Sequence, residues 1–397
     1  MAETSLTVFK NSIPAALLSG DGGQVTFRYL ESYVTRGLEP ISWSLPLSLE
    51  PKVYQAGATP AFFAGLLPEG RRLNAIAGRL KTSPDNEVAL LAALGSDAIG
   101  DVQLAEGENL PAEREVLLLP KDTTTLDFAE IQSKYFGSPA AGLPGFQDKI
   151  SSKMLNAPAK QQGLEYIMKF NPPEAPFAVE NEYLFLSLAK NAGLSVSSFR
   201  LLTDSKGEHA LLLQRFDRLR SDGRTHRLAM EDACQVLDVY PSRKYQLSFE
   251  EVAVALIEKC SAKKPAALEL FKQIVFYWLI GNGDAHAKNF SILKNLEGEW
   301  RISPAYDILC TLYYQDVEMA LSVSDKTTLW DRETLLVLGE QLGVPDVLAQ
   351  QVIEHLLAKT ERLTIQLDTG GLPFRPDQNY KVTRTLRNRR KRLGSKS

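Results

Sequence analysis

An α+β fold with more than one domain is predicted by three features of the sequence. The chain has 397 residues, which is too long for one domain of ordinary size. Residues 268–280 carry apolar side chains at helical spacing and end at Gly281, as a buried helix does. Short apolar runs at 290–293 and 300–302, separated by a Gly-containing turn, predict two strands directly after this helix.

Composition is that of a globular protein, with 44% hydrophobic and 23% charged residues. The three cysteines, Cys234, Cys260 and Cys310, are far apart and form no Cys-x-x-Cys pair. A disulfide framework or a structural zinc site is therefore not expected, and a reducing compartment fits best. No basic-then-apolar leader begins the chain and no run of 18 apolar residues occurs, so we expect a cytoplasmic protein without a membrane span.

Charge is distributed unevenly along the chain. The formal net charge of −3 argues against a generally basic nucleic-acid binder. Residues 381–397, however, hold eight Lys or Arg and no acid. A solvated, disordered tail is the favoured interpretation of this segment, and a contact with DNA or an acidic partner is the alternative.

The remaining elements are predicted from periodicity and from turn residues. A Gly/Pro-rich stretch at 137–144, at the end of a connector over 123–142, indicates a domain boundary. Before it we predict a strand at 25–29, a helix at 61–80 interrupted at Pro68, a helix at 86–94 and a short apolar run at 116–119. After it we predict a strand at 166–170, a helix at 179–191, a strand at 211–216 and mostly helices from 327 onward.

The most informative segment is the loop that follows the buried helix. It places Asp284 five residues before Asn289, and Asp307 follows the two short strands. Phosphoryl transfer needs a carboxylate to accept the proton of an attacking hydroxyl, and oxygen ligands that hold Mg²⁺ against the phosphates. The order helix, Asp-x-x-x-x-Asn loop, two strands and Asp is that of a protein kinase. The alternative is that Asp284 and Asn289 only cap turns.

Groups that would bind phosphate lie upstream. The turn at 142–149 could present backbone N–H groups to phosphate, although a plain loop is an equal alternative. Lys169 on a predicted strand would contact the α- and β-phosphates, or else be a surface lysine. Glu182 on the next helix is placed to pair with Lys169, but an exposed glutamate is favoured. His286 would contact phosphate or substrate, or order its loop by a hydrogen bond.

Several motifs resemble the HipA family of bacterial toxin kinases. The C-terminal ones are GNGDAHAKNFSIL at 281–293, SPAYDIL at 303–309, QRFDR at 214–218 and MEDACQ at 230–235. The N-terminal ones are WSLPL at 43–47, FFAGLLPEG at 62–70 and LGSDAIGDVQL at 94–104, and GFQDK at 145–149 resembles the family's phosphate loop. The resemblance implies a protein-kinase-like two-lobed core with an all-α C-terminal lobe and a small N-terminal α/β subdomain. We divide the chain into a subdomain at 1–120, an N-lobe at 121–225, a C-lobe at 226–380 and a basic tail at 381–397.

The resemblance also implies a role for each site residue. Asp284 would accept the proton, Asn289 and Asp307 would bind Mg²⁺, and Lys169 would be the ATP lysine. The phosphates would be wrapped by Pro144, Gly145, Phe146, Gln147, Asp148 and Lys149. The hinge around adenine would be Gln214, Arg215 and Phe216, mainly through backbone groups. His286, Ala287, Lys288, Asn289, Tyr306 and Asp307 would complete the nucleotide site.

The activity implied is that of an ATP- and Mg²⁺-dependent serine/threonine kinase of a type II toxin–antitoxin system. Its substrate would be a protein such as an aminoacyl-tRNA synthetase, its partner a helix-turn-helix antitoxin of HipB type, and DNA would be met through that antitoxin. Alternatives are a kinase for a small molecule or lipid, and a non-catalytic co-regulator. Gly142 stands where family members often carry an autophosphorylated serine, so we expect no self-inactivation at this position.

Overall fold

An antiparallel sheet of five strands forms the N-terminal subdomain. The computed structural model describes residues 4–20, 23–112, 116–136 and 154–394. The sheet order is β4-β3-β2-β1-β5, with β1 Thr4–Lys10, β2 Ile13–Gly20, β3 Gln24–Tyr29, β4 Lys52–Gln55 and β5 Val102–Glu106. Four helices accompany it, α1 Glu31–Val34, α2 Ala61–Leu66, α3 Gly70–Leu80 and α4 Glu87–Leu94. The predicted strand at 25–29, the break at Pro68 and the helix at 86–94 are all present.

The first two strands were not predicted from the sequence. They form a hairpin through the two-residue turn Asn11-Ser12, in which both residues have positive φ. Such a turn matches the twist of antiparallel strands. Leu6 and Val8, which lie on the same side of β1, are buried in the subdomain core.

A second five-stranded sheet forms the N-lobe. Its order is β6-β7-β8-β10-β9, with β6 Leu117–Leu118, β7 Leu155–Gln161, β8 Leu164–Phe170, β9 Phe199–Thr203 and β10 His209–Gln214. Helix α5 Phe128–Phe136 covers one face, where Met168 and Phe170 are buried against Phe128. Helix α6 Ala178–Asn191 packs against the opposite face. Successive side chains of a strand alternate between faces, so Lys169 points toward α6.

Two expectations about the connector need correction. The segment 123–142 contains helix α5, which is held in place because Phe128 and Ile131 bury their side chains against the sheet. Strand β6 pairs in parallel with β7, Leu117 opposite Ala159. The second sheet therefore begins before residue 121, the position at which we began the N-lobe.

The C-lobe is mainly helical and surrounds one helix that is buried over most of its length. Its helices are α7 Ala233–Val236, α8 Phe249–Lys259, α9 Lys263–Ile280, α10 Arg332–Gln341, α11 Asp346–Lys359, α12 Leu363–Asp368 and α13 Pro376–Gly394. The central helix is α9, which buries Phe271, Phe276, Tyr277 and Trp278. None of the helices in the described ranges is both long and apolar enough to cross a membrane.

A small antiparallel sheet departs from the expected all-α lobe. It has the order β13-β14-β15, with β13 Met230–Asp232, β14 Ser291–Lys294 and β15 Trp300–Ile302. A separate hairpin, β11 Arg218–Ser221 with β12 Arg224–Arg227, precedes it. The strands β14 and β15 are those predicted after the buried helix. β14 begins two residues after Asn289 and β15 ends five residues before Asp307, so the sheet anchors the chain on both sides of the candidate site.

Residues 381–394 of the basic tail are helical, which corrects the disordered tail that we favoured for this part of the chain. From Pro376 to Gly394 it is helix α13, and Val382, Leu386 and Leu393 are buried against the C-lobe. Arg389 is only 5% exposed. Its guanidinium donates to the carbonyls of Trp278 at 3.0 Å and Val317 at 2.7 Å, and lies 4.1 Å from the centre of the Trp278 ring. The number of basic residues suggested a solvated tail, but one of them, Arg389, is buried in the core.

We expect Arg389→Ala to lower the free energy of unfolding by about 2–4 kcal/mol, because two carbonyls lose a charged donor and Trp278 loses its cation. Urea unfolding followed by circular dichroism measures the change. The matched control is Lys391→Ala on the exposed side of the same helix, which should change stability by less than about 0.5 kcal/mol. Equal effects of the two substitutions would mean that the helix is not anchored by Arg389.

A buried ion network joins the N-terminal subdomain to the segment that connects the two lobes. Arg215 pairs with Asp97 at 3.0 Å and with Asp217 at 2.7 Å. Arg218 pairs with Asp217 at 2.8 Å and donates to the Gly100 carbonyl at 2.9 Å, while the Gly100 N–H donates to Asp217 at 2.9 Å. The motifs at 94–104 and 214–218 are therefore one structural unit.

Candidate active site

Lys169 and Glu182 form a buried ion pair beneath the cleft between the lobes. The Lys169 Nζ lies 2.7 Å and 3.0 Å from the two carboxylate oxygens of Glu182. Lys169 is 5% exposed and Glu182 is fully buried, so the alternatives of a surface lysine and an exposed glutamate are both wrong. Burial alone would lower the pKa of Lys169, but the carboxylates of Asp307 and Glu182 raise it above its ordinary value. The lysine is therefore charged at neutral pH.

Asp307 connects this pair to the loop of residues 281–290. One of its carboxylate oxygens pairs with Lys169, and the other accepts a hydrogen bond from the Asn289 side-chain amide at 3.4 Å. The Asn289 Oδ1 atom is buried and has no hydrogen-bond partner among the described residues. Asp307 also has φ +53°, a left-handed conformation that non-glycine residues rarely adopt. Such strain concentrates at functional sites.

The loop itself is shaped by two glycines. Gly281 ends α9 with φ +75°, where a side chain would be strained. At Gly283 a Cβ atom would come 2.4 Å from the Glu318 carbonyl, so only glycine lets the chain pass. Asp284 follows and is 1% exposed. Its side chain accepts a hydrogen bond from the Tyr245 hydroxyl at 3.2 Å, and its carbonyl accepts from the His286 N–H at 2.8 Å.

A cavity of about 300 Å³ lies next to these groups. Apolar side chains of Ile167, Leu186 and Leu213 form part of its wall. Of the residues predicted to bind nucleotide, its lining includes Lys169, Gln214, Arg215, Phe216, His286, Lys288, Asn289, Tyr306 and Asp307. Ala287 is buried behind the wall, and Asp284 lies outside the lining, beside Tyr245.

The predicted hinge is largely occupied by internal hydrogen bonds. The backbone N–H of Gln214 donates to the Ser198 carbonyl, and that of Arg215 donates to the Glu165 carbonyl. The Arg215 side chain pairs with Asp97 of the N-terminal subdomain. Phe216 packs its ring 5.8 Å from that of Tyr306. The Tyr306 hydroxyl donates to the Lys288 carbonyl at 2.6 Å.

Residues of the N-terminal subdomain reach the same cavity, and sequence reasoning did not assign them to it. Glu69 lines the cavity and pairs with Lys288 at 2.9 Å and with Lys244. Burial alone would raise the pKa of Glu69, but Lys288 and Lys244 lower it to about 2. Asp232, at the start of α7, also lines the cavity. Glu69 lies within the motif at 62–70, which the sequence analysis used for the family resemblance without assigning a function to any of its residues.

His286 is buried and uncharged at neutral pH. Burial lowers its pKa well below the usual range, and the charge of Lys244 acts in the same direction. Its Nδ1 atom has no partner among the described residues. The phosphate loop predicted at 144–149 and the position Gly142 lie outside the described residues.

The two-lobed fold, the Lys169–Glu182 pair and Asp307 beside Asn289 define the chain as a protein-kinase-like enzyme. The HipA-like C-terminal domain matches residues 141–363, and the HipA N-terminal domain matches residues 6–105. The chain belongs to the HipA family.

Relatives support the same assignment along most of the chain. A putative kinase of Sinorhizobium fredii, Y4mE, is 33% identical over 88% of this chain and 89% of its own length. The serine/threonine-protein kinase toxin HipA of Shewanella oneidensis is 27% identical over 77% of this chain and 75% of its own. The solved complex of Shewanella oneidensis HipA with HipB and operator DNA contains a chain of the same fold, with a TM-score of 0.76, 22% identity and coverage of 98% and 97% of the two chains.

Proposed function

We propose that this protein is an ATP- and Mg²⁺-dependent serine/threonine protein kinase of the HipA toxin type. The observation that carries the proposal is Lys169, which joins the buried Glu182 to Asp307 beside Asn289. An ion pair with a purely structural role would not need the partly exposed carboxylate of Asp307 as a third member. Nor would it need the side-chain oxygen of Asn289 to lack a hydrogen-bond donor among the described residues. Phosphoryl transfer needs both.

Each residue then has a chemical role. Lys169, oriented by Glu182, contacts the α- and β-phosphates as a positive charge. Asp284 accepts the proton of the acceptor hydroxyl. The hydroxyl oxygen bonds to the γ-phosphorus, while the bond from the γ-phosphorus to the bridging oxygen of the β-phosphate breaks and ADP leaves. The side of the cavity formed by Ile167 and Leu213 receives the adenine, and residues 214–216, which also line the cavity, form the hinge.

Mg²⁺ fits the oxygen groups of Asn289 and Asp307. Hard cations prefer carboxylate and amide oxygens, and Mg²⁺ is commonly bound by one or two protein ligands together with substrate phosphates. The partnerless Oδ1 of Asn289 and the 30% exposed carboxylate of Asp307 are such ligands. The cation supplies charge neutralisation at the β- and γ-phosphates. The remaining phosphate contacts are assigned to residues 144–149, and His286 and Lys288 complete the site.

We propose a protein as the substrate, of the kind represented by aminoacyl-tRNA synthetases, so that phosphorylation arrests growth. The proposed partner is a helix-turn-helix antitoxin of HipB type, since HipA of Shewanella oneidensis was solved with HipB and operator DNA. DNA would be met within that complex. Exposed Lys381, Arg384 and Lys391 on α13 are basic side chains available for it.

The decisive test is phosphoproteomics after brief expression, comparing the wild type with Asp284→Ala. We expect one or a few proteins to gain phosphoserine or phosphothreonine only with the wild type. Radiolabelled ATP added to a cell lysate separates the alternatives, because a labelled small molecule or lipid without a labelled protein would indicate a different substrate class. Growth arrest without any labelled product would support a non-catalytic co-regulator instead.

A further inference from the structure

A tyrosine reaches the carboxylate of Asp284 from outside the nucleotide cavity. The Tyr245 hydroxyl donates to Asp284 Oδ1 at 3.2 Å, and the Tyr245 ring contacts the ring of His286 edge-on, with 5.1 Å between their centres. Tyr245 is 36% exposed, whereas Asp284 is 1% exposed. The phenol ring therefore extends from the buried carboxylate toward solvent, on a side of Asp284 that does not line the nucleotide cavity.

The segment that carries Tyr245 is fixed from two directions. The Lys244 carbonyl accepts a hydrogen bond from the Ala287 N–H at 3.2 Å, which ties the segment to the loop that carries Asp284. The Lys244 side chain pairs with Glu69, and the Tyr240 hydroxyl pairs with Glu87 of helix α4. Two residues of the N-terminal subdomain thus hold the segment that positions the phenol.

The bond between Tyr245 and Asp284 is the bond that an acceptor hydroxyl must make. A general base has to lie within hydrogen-bond reach of the proton that it takes. The phenol is a neutral donor at neutral pH, because burial and the nearby Asp284 charge raise the pKa of Tyr245 above its ordinary value. A donor on the carboxylate also stabilises its charged form and so weakens it as a base.

We propose that the Tyr245 hydroxyl occupies the acceptor subsite and that the serine or threonine hydroxyl of a protein substrate displaces it before transfer. This inference rests on the proposed role of Asp284 as proton acceptor. It divides the active site into a nucleotide cavity and an acceptor subsite at Asp284, walled by Tyr245 and His286. Tyr245 is then a residue that determines which hydroxyl, including that of water, gains access to the base.

The test is Tyr245→Phe, which removes the hydroxyl and keeps the ring. The rates to measure are ATP hydrolysis, with water as acceptor, and transfer to dephosphorylated casein as a generic protein. A hydrogen bond of ordinary strength contributes about 0.5–1.5 kcal/mol, so we expect both rates to rise about 2- to 12-fold. The KM for ATP should not change, because Tyr245 does not line the nucleotide cavity.

Two controls separate the possible outcomes. Tyr380→Phe, an exposed tyrosine on α13, should leave both rates unchanged, and Asp284→Ala should abolish the rise when combined with Tyr245→Phe. If the wild type transfers phosphate but Tyr245→Phe is equal or slower, the acceptor subsite is wrong while the proposed function stands. If the wild type neither hydrolyses ATP nor phosphorylates casein faster than Asp284→Ala does, the proposed function fails and the acceptor subsite fails with it.

Discussion

Asp284→Asn is expected to reduce phosphoryl transfer by about 10²- to 10⁴-fold while leaving ATP affinity nearly unchanged. Asparagine has the same shape and can still accept the hydrogen bond from Tyr245, but it cannot take the proton of an acceptor hydroxyl. Asp284 does not line the nucleotide cavity, so binding of ATP should not depend on its charge. Single-turnover transfer rates and a calorimetric titration with Mg²⁺-ATP measure the two quantities.

The matched control is Asp325→Asn, an exposed aspartate with a left-handed φ that asparagine also tolerates. We expect this variant to transfer phosphate at the wild-type rate. Turnover near the wild-type value in Asp284→Asn would instead show that Asp284 only shapes its turn. The thermal unfolding midpoint of both variants establishes that the fold is intact.

Lys169→Met is expected to lower the free energy of unfolding by about 3–5 kcal/mol, in addition to abolishing transfer. The substitution leaves the fully buried Glu182 without its partner, and an uncompensated buried charge is strongly destabilising. Urea denaturation gives the change as a lower midpoint. Lys264→Met, on the exposed start of α9, is the control and should change stability by less than about 0.5 kcal/mol.

The double variant Lys169→Met/Glu182→Leu tests the cause. Removing both charges should recover much of the lost stability, because an apolar pair of similar volume often replaces a buried ion pair without cost. Transfer should remain abolished, since the phosphates still lack their lysine. A Lys169→Met variant as stable as the wild type would mean that Glu182 is not buried as a charged group.

Local patterns predicted the elements that position the site. Helix α9, strands β14 and β15 and the spacing of Asp284, Asn289 and Asp307 follow from residues close together in the sequence. Glu182 could not be assigned in this way, because its helix exposes one side and the sequence does not say which. The sequence offered Glu182 as a partner of Lys169 but favoured an exposed glutamate, and the structure decides for the pair because the sheet places Lys169 opposite α6.

Contacts between distant segments explain what the sequence did not predict. Glu69 pairs with Lys288, 219 positions away in the chain, and no periodicity links the two. Tyr245 lies 39 positions before Asp284, in a segment without a recognisable motif for a base. The packing of α13 could have been read, since Val382, Leu386, Arg389 and Leu393 fall on one helical face, but the charge of the tail masked it.

The buried network of Arg215, Asp217 and Arg218 with Asp97 and Gly100 is expected to affect how nucleotide leaves the protein. It fastens the N-terminal subdomain to the segment between the lobes, while Glu69 fastens the same subdomain to Lys288 on the far side of the cavity. The subdomain is thereby attached on two sides of the cavity, and we expect the cavity to open more widely when one of these attachments breaks. Of the two, Glu69 is the more exposed and the easier to hydrate. We therefore expect the dissociation rate of ADP, more than its affinity, to depend on how often the ion pair between Glu69 and Lys288 breaks.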